Sequence, residues 1–248
     1  MNLSKYYNCS AIQGELGICS IDHRAYSLAI KYWLRLVRRT KNEILNDAFQ
    51  IALNDQHEWI QSVQSLLCTN GFRYAWLNPH SLNQDYFHKQ FRQRLDDQFI
   101  QNWRAKINAS SRFKLLALLK ESDDAFSKSK YIDKIKNPIV RETFTRLRVD
   151  MNILGTSMTN QTVENPSGTC RECTLGVPET PEHFLFDCNA FFGRREAVKH
   201  KIVDVDHRYD EMTKVERTRY IRNLDCPDEA ISLCCKYVID LYKLREGP

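Results

Sequence analysis

The 248-residue sequence predicts an all-α fold: a multi-helix bundle with a small Cys/His metal-binding segment, closed by C-terminal helices. Three observations predict it. Glycine and proline number only 8 and 7, too few for a sandwich or barrel that turns every ten residues or so. Apolar residues recur at three- and four-residue steps through most of the chain, the period of a helix with one buried face. Where that period lapses, Cys170, Cys173, His183 and Cys188 stand in the spacing C-x2-C-x9-H-x4-C.

Taken in order, Gly14-Glu15-Leu16-Gly17 reads as a turn, with Leu16 and Ile18 as buried candidates. Asp22 opens a helix to Val37 whose inward residues are Leu28, Ala29, Tyr32, Trp33 and Leu36. Helices over 42–53 and 55–68 follow, presenting Ile44, Leu45, Ala48, Phe49 and Ala52, then Trp59, Ile60, Val63, Leu66 and Leu67. Asn70-Gly71 ends the second, because glycine tolerates the left-handed conformation that stops a helix. Phe72, Tyr74, Trp76 and Leu77 fill the connection before Asn78-Pro79. The longest helix covers about 84–109, with Phe87, Phe91, Leu95, Phe99, Trp103 and Ile107 at four-residue steps, so its stripe winds and meets several neighbours. Asp96 and Asp97 read as solvated charges on it.

A helix over 112–120 precedes a polar, Lys-rich stretch to residue 137. Asn137-Pro138 starts a helix with Ile139, Val140, Phe144, Leu147 and Met151 inward, and Arg141, Arg146 and Arg148 on other faces. Residues 157–168 are polar and supply the best boundary, giving a helical domain 1–160, a metal segment with its following helix 161–203, and a C-terminal helical pair 204–248. The helix over 189–203 carries Phe191, Phe192, Ala197 and Ile202. The final two span 210–224 and 227–244, with Cys234 and Cys235 in an apolar middle.

Two cysteines three apart present both thiolates to one ion from a tight turn, and His183 and Cys188 complete a tetrahedron. Soft thiolates with one imidazole suit zinc, and four protein ligands leave no open position, so one structural Zn2+ is expected. Thr180-Pro181-Glu182 has the pattern of an N-cap, a first-turn proline and an early acid, which puts His183 on a helix's first turn. His183 and Cys188 are five apart and off one α-helical face, so the helix must end or bend before Cys188.

Composition excludes several classes. Nine cysteines, an odd number with two adjacent, do not form a secreted disulfide framework, Met1 to Ser10 lacks an apolar signal core, and no apolar run reaches about eighteen residues. An intracellular protein, nuclear or cytoplasmic, with no membrane partner is expected. No glycine-rich phosphate loop or nucleophile-base pair is legible. Cys19 stands near Asp22 and His23 without a recognised motif, so neither catalysis nor a small-molecule substrate is expected. Net charge is +5 and uneven: 23 Lys and Arg face 16 Asp and Glu over residues 1–168, against 13 and 15 afterwards. A basic helical part fits a polyanion partner, and it also fits an ordinary solvated surface. The candidate phosphate contacts are Arg38, Arg39, Arg92, Arg112, Arg171, Arg194 and Arg195.

The motifs GELG at 14–17, YWLRL at 32–36 and FRQRLDDQF at 91–99 with Trp103 resemble the region C-terminal to the polymerase core in jockey-type non-LTR retrotransposon reverse-transcriptase-like proteins. Thr145-Arg146-Leu147-Arg148, then Cys170 and Cys173, then EHFLFDC at 182–188, is similar to the CCHC zinc segment of such proteins in the same order. The resemblance covers roughly residues 14–195, and no polymerase palm accompanies it. It implies a non-catalytic tail that helps hold RNA or DNA, with Cys170, Cys173, His183 and Cys188 as metal ligands. The competing expectation is a helical protein-interaction scaffold, or an inactive retroelement remnant, held by zinc and with a protein partner.

Overall fold

The computed structural model describes residues 9–38, 42–110, 113–120, 126–149, 154–156 and 167–246. These residues are all-α. Among them the extended pairing is one isolated antiparallel bridge between Thr169 and Pro178. The chain divides into two compact units, Met1–Ile18 with Lys106–Pro248, and Cys19–Ala105. This differs from a division near residues 160 and 203. The Cys/His segment and the C-terminal helices share one apolar core, and the first helix is tied to Arg148 of the same unit through a buried ion pair.

That first helix is α1 (Cys9–Leu16). GELG is therefore mainly helical rather than a turn, its Glu15 is buried and Ile18 is exposed, reversing the expectation there.

The unit Cys19–Ala105 is built from α2 (Ile21–Val37), α3 (Glu43–Asn54), α4 (Glu58–Thr69), α5 (Arg73–Leu77) and most of α6 (Gln84–Ala109). Local chemistry fixes the starts of α2, α3 and α4. The Ser20 hydroxyl accepts from His23 N (3.3 Å), Asn42 Oδ1 from Leu45 N (3.1 Å), and His57 Nδ1 from Trp59 N (3.2 Å), each satisfying an orphan helix donor. Gly71 ends α4 at φ +85°. On α6, Phe87, Phe91, Leu95, Trp103 and Ile107 are buried at the predicted four-residue step. The α2 face is shifted from expectation: Trp33 and Leu36 are buried as expected and Ile30, Leu34 and Val37 join them, whereas Leu28 and Tyr32 face outward. Trp33 stacks on Trp76 at 5.9 Å. Ile44, Tyr74 and Leu77 are also exposed, each on the outer side of a helix whose opposite side supplies Phe49 or Ala75. Helices α2 and α6 run antiparallel, since rising positions on one meet falling positions on the other. His23 meets Asp96, Ser27 meets His88 (3.3 Å) and Gln84 donates to Leu34 O (2.9 Å).

The second unit adds α7 (Lys114–Leu119), α8 (Tyr131–Lys134), α9 (Pro138–Arg148), α10 (Phe192–Val205), α11 (Arg208–Glu211), α12 (Lys214–Arg222) and α13 (Asp228–Glu246). Its core joins Tyr131, Phe144 and Leu147 to Phe184, Leu185, Phe191 and the inner face of α13. Asn137 caps α9 by accepting from Ile139 N at 2.9 Å, and Thr213 and Glu216 form a reciprocal capping box on α12. Ile139 is exposed, because the α9 side facing the core is the one bearing Phe144 and Leu147. Phe192 and Ala197 are likewise exposed on α10 while Ile202 is buried.

The largest departure is Arg148, expected on an outer face and found 1% exposed. Its Nε donates to both Glu15 oxygens at 3.0 and 3.1 Å, Nη1 donates to Arg222 O and Asn223 Oδ1, and the guanidinium lies over the Tyr131 ring. A buried guanidinium needs this complete set of acceptors, since each lost partner leaves a desolvated donor. Met151, residues 157–166, and the pair Asp123 and Asp124 lie outside the described residues.

Candidate metal centre

Two short pieces of chain build the centre. The first is a knuckle over residues 168–179. Cys170 N donates to Val177 O (2.9 Å) and Glu179 N to Gly168 O (2.8 Å), while Gly176 turns the chain at φ +64°. Cys170 and Cys173 project from the turn so closed. The base of the knuckle needs glycine. A Cβ on Gly168, whose φ is +63°, would lie 2.4 Å from Gly155 O, and one on Gly155 would lie 2.6 Å from Gly168 O. Glu179 is fully buried beside it, accepting from Gly155 N at 2.7 Å and from Arg245 Nε at 2.7 Å, so the end of α13 is tied to the knuckle.

The second piece carries His183 and Cys188. Thr180 caps it as expected, accepting from His183 N at 3.1 Å through Oγ1. The chain then widens into a π-turn over His183–Asp187, closed by Cys188 N donating to His183 O at 2.7 Å. A hydrogen bond spanning five residues brings residues five apart towards alignment, which an α-turn does not. This is the physical form of the predicted bend. Phe184 anchors the turn edge-on against Phe191 (5.4 Å) and Tyr242 (5.5 Å), and Tyr237 Oη donates to Leu185 O.

Together the pieces bring Cys170, Cys173, His183 and Cys188 into one cluster. One donor atom from each lies within 4.8 Å of all the others. Cys170 Sγ is 3.9 Å from Cys188 Sγ, and Cys173 Sγ is 3.4 Å from His183 Nε2. The centre is largely shielded, with Cys170, His183 and Cys188 buried. Burial, reinforced by neighbouring thiols, pushes the Cys188 thiol up to about 12. Burial also raises Cys170 and lowers His183. A bound cation reverses the preference for the thiols, because it stabilises thiolate directly.

Arg195, on the first turns of α10, donates from Nη2 to Cys188 O and fixes the carbonyl of a ligand residue. Its Nη1 is buried without a hydrogen-bond partner. Beside it opens a cleft of about 260 Å3 lined in part by Phe186, Phe192, Arg195, Lys199, Tyr209 and Arg217. The charged lining residues are Arg195, Lys199 and Arg217 against Asp187 and Glu196, a net positive set.

The other predicted phosphate contacts are dispersed. Arg171 is exposed on the knuckle turn and Arg194 is exposed at the start of α10, in the same unit as the centre. Arg38 and Arg92 are exposed in the unit Cys19–Ala105, Arg92 lying 3.9 Å from Asp96. Arg39 and Arg112 lie outside the described residues. Sequence reading missed the supporting roles of Glu179, Gly155 and Gly168. Only the glycines carried a signal, since the knuckle requires backbone approach there.

No protein-family model, curated protein or solved structure matches the chain. Among the described residues no helix is long and apolar enough to cross a membrane.

Proposed function

We propose that the chain is a non-catalytic nucleic-acid-binding module in which one structural Zn2+ holds a basic, aromatic-edged cleft in shape. Zinc suits the donor set. At ordinary Zn–S and Zn–N lengths a tetrahedron has edges of about 3.8 Å between thiolates and about 3.6 Å between thiolate and imidazole. The observed 3.9 and 3.4 Å need little adjustment. Four protein donors leave no position for a catalytic water, which makes the ion a staple.

The observation that carries the functional reading is the cleft beside Cys188. Phe192 is 61% exposed at its edge, a stacking platform, and Arg195, Lys199 and Arg217 line it as cations for a phosphate backbone. Stacking plus phosphate contacts binds single strands with little sequence preference. The resemblance of the sequence motifs to a retroelement tail points to the same partner class, RNA or DNA. The test is fluorescence anisotropy with labelled single-stranded RNA and DNA. Phe192→Ala is expected to weaken binding by about 1 to 3 kcal/mol. Arg217→Ala should reduce the salt slope by about 0.7. Binding unchanged in both variants contradicts the assignment.

A second reading, a helical protein-interaction scaffold or inactive retroelement remnant, is favoured by one observation. Leu28 and Tyr32 on α2, and Ile44 and Ile51 on α3, present apolar side chains to solvent. It predicts that zinc-loaded protein binds neither RNA nor DNA.

A further inference from the structure

Cys19, His23 and Asp96 form a second cluster, separate from the first and contained within the unit Cys19–Ala105. One donor atom from each lies within 4.8 Å of the other two, and all three residues are half-buried. Helix starts and helix pairing bring them together. Ser20 caps α2, which places Cys19 one position before the cap and His23 in the first turn. Asp96 comes from α6, held in antiparallel register by the Ser27–His88 and Gln84–Leu34 contacts and by the buried Leu95 beside it. His23 and Asp96 therefore sit on two packed helices, and Cys19 is the residue that leads into the first cap.

We propose that Cys19, His23 and Asp96 bind a second divalent transition-metal ion of the zinc class, with its fourth position left to water. A thiolate, an imidazole and a carboxylate are borderline donors that suit Zn2+ and Co2+ and disfavour Mg2+ and Ca2+. His23 Nε2 is 2.8 Å from Asp96 Oδ1, yet it is a buried nitrogen whose hydrogen bond is unmade, so the carboxylate is near but misaligned. Around a zinc ion these two atoms would stand about 3.3 Å apart, a spread of about half an ångström. Asp96 can supply it, being a third exposed. Arg92, the cation nearest the carboxylate, is 3.9 Å away on a side chain 68% exposed and free to swing aside. The same trio does not read as an activated cysteine. Burial and the Asp96 carboxylate push the Cys19 thiol above its ordinary value, the opposite of what a nucleophile requires. The plain alternative is an interhelical His–Asp pair with a bystander thiol.

Cobalt titration of the full-length, metal-stripped chain separates the two. The site predicts two saturating phases, the tighter from the Cys170 cluster. The second should carry a thiolate charge-transfer band roughly one third as intense, one thiolate against three. Cys19→Ser should abolish the band of the second phase, and His23→Gln and Asp96→Asn should weaken that phase at least tenfold, on the order of a lost ligand. All three variants should keep the first phase and the wild-type helical circular dichroism. A wild-type chain with no cobalt phase that depends on Cys19, whether the titration shows one phase or two, overturns the proposal. Loss of the first phase leaves the assignment of the second intact, so failure of the zinc staple and failure of this site give different traces.

Discussion

Arg148 shows how one side chain can join distant parts of a sequence. Its guanidinium and the Glu15 carboxylate are both removed from water, and the chain meets the desolvation cost with acceptors from Glu15, Arg222, Asn223 and Ser129. Removing one partner leaves the other charge buried alone. Glu15→Gln and Arg148→Met should each lower unfolding free energy by about 3 to 5 kcal/mol, measured by urea denaturation. The double variant should lose much less than the sum, since no orphan charge remains; strict additivity would contradict the pairing. Lys120 belongs to the same neighbourhood, its Nζ donating to Ser127 O at 2.6 Å. Burial is the main cause that brings it down to about 8 from 10.5, with Glu15 opposing and Arg148 assisting. Between those values the unfolded chain holds more protons than the folded one, so this residue's contribution to stability rises with pH from about 8 to 10.5. The difference in unfolding free energy between Lys120→Met and wild type should therefore shift in favour of wild type across that window, and a constant difference contradicts it.

At the scale of elements, the period of apolar residues was enough for α6 and α4, because each has a dominant stripe, and on α9 it placed Phe144 and Leu147 while missing exposed Ile139 and buried Arg148. On α2 it was half right: Leu28, Ala29, Tyr32, Trp33 and Leu36 were read as the inward stripe, and Trp33 and Leu36 are buried together with Ile30, Leu34 and Val37 while Leu28 and Tyr32 are exposed. The ligand spacing made Cys170, Cys173, His183 and Cys188 legible as a set, and the five-residue step signalled a break in α-geometry without revealing a π-turn. Glu15 with Arg148, and Cys19 and His23 with Asp96, were illegible for a common reason. A charged residue read on its own helix is assigned to solvent, and its partner lies in a distant part of the chain. The knuckle depends on backbone approach, so Gly168→Ala should strain both φ and packing. The expected outcome is weaker zinc retention against a chelator than in Gly71→Ala, whose glycine meets nothing within 4 Å of an added Cβ. Equal retention would show that the Gly155–Gly168 approach is unimportant.

At the scale of the molecule, the Cys/His cluster is part of a core rather than an appended finger. Cys170 and Cys188 pack in one apolar cluster with Phe184, Phe191 and the inner face of α13. Removing the ion then disturbs more than the knuckle, since metal binding and folding share free energy in such sites. Chelation should increase hydrogen exchange through the π-turn and along α10 and α13. Exchange increases confined to the knuckle contradict that coupling. The central claim, that zinc shapes a cleft which grips nucleic acid, is tested most directly by single-strand affinity as a function of salt, before and after chelation. With phosphate contacts from about three cations, the zinc-loaded chain should show a log–log slope of about −2. Stripping the metal should abolish binding and readdition of zinc should restore it. Affinity that ignores salt, or that is the same with and without the ion, would contradict the account.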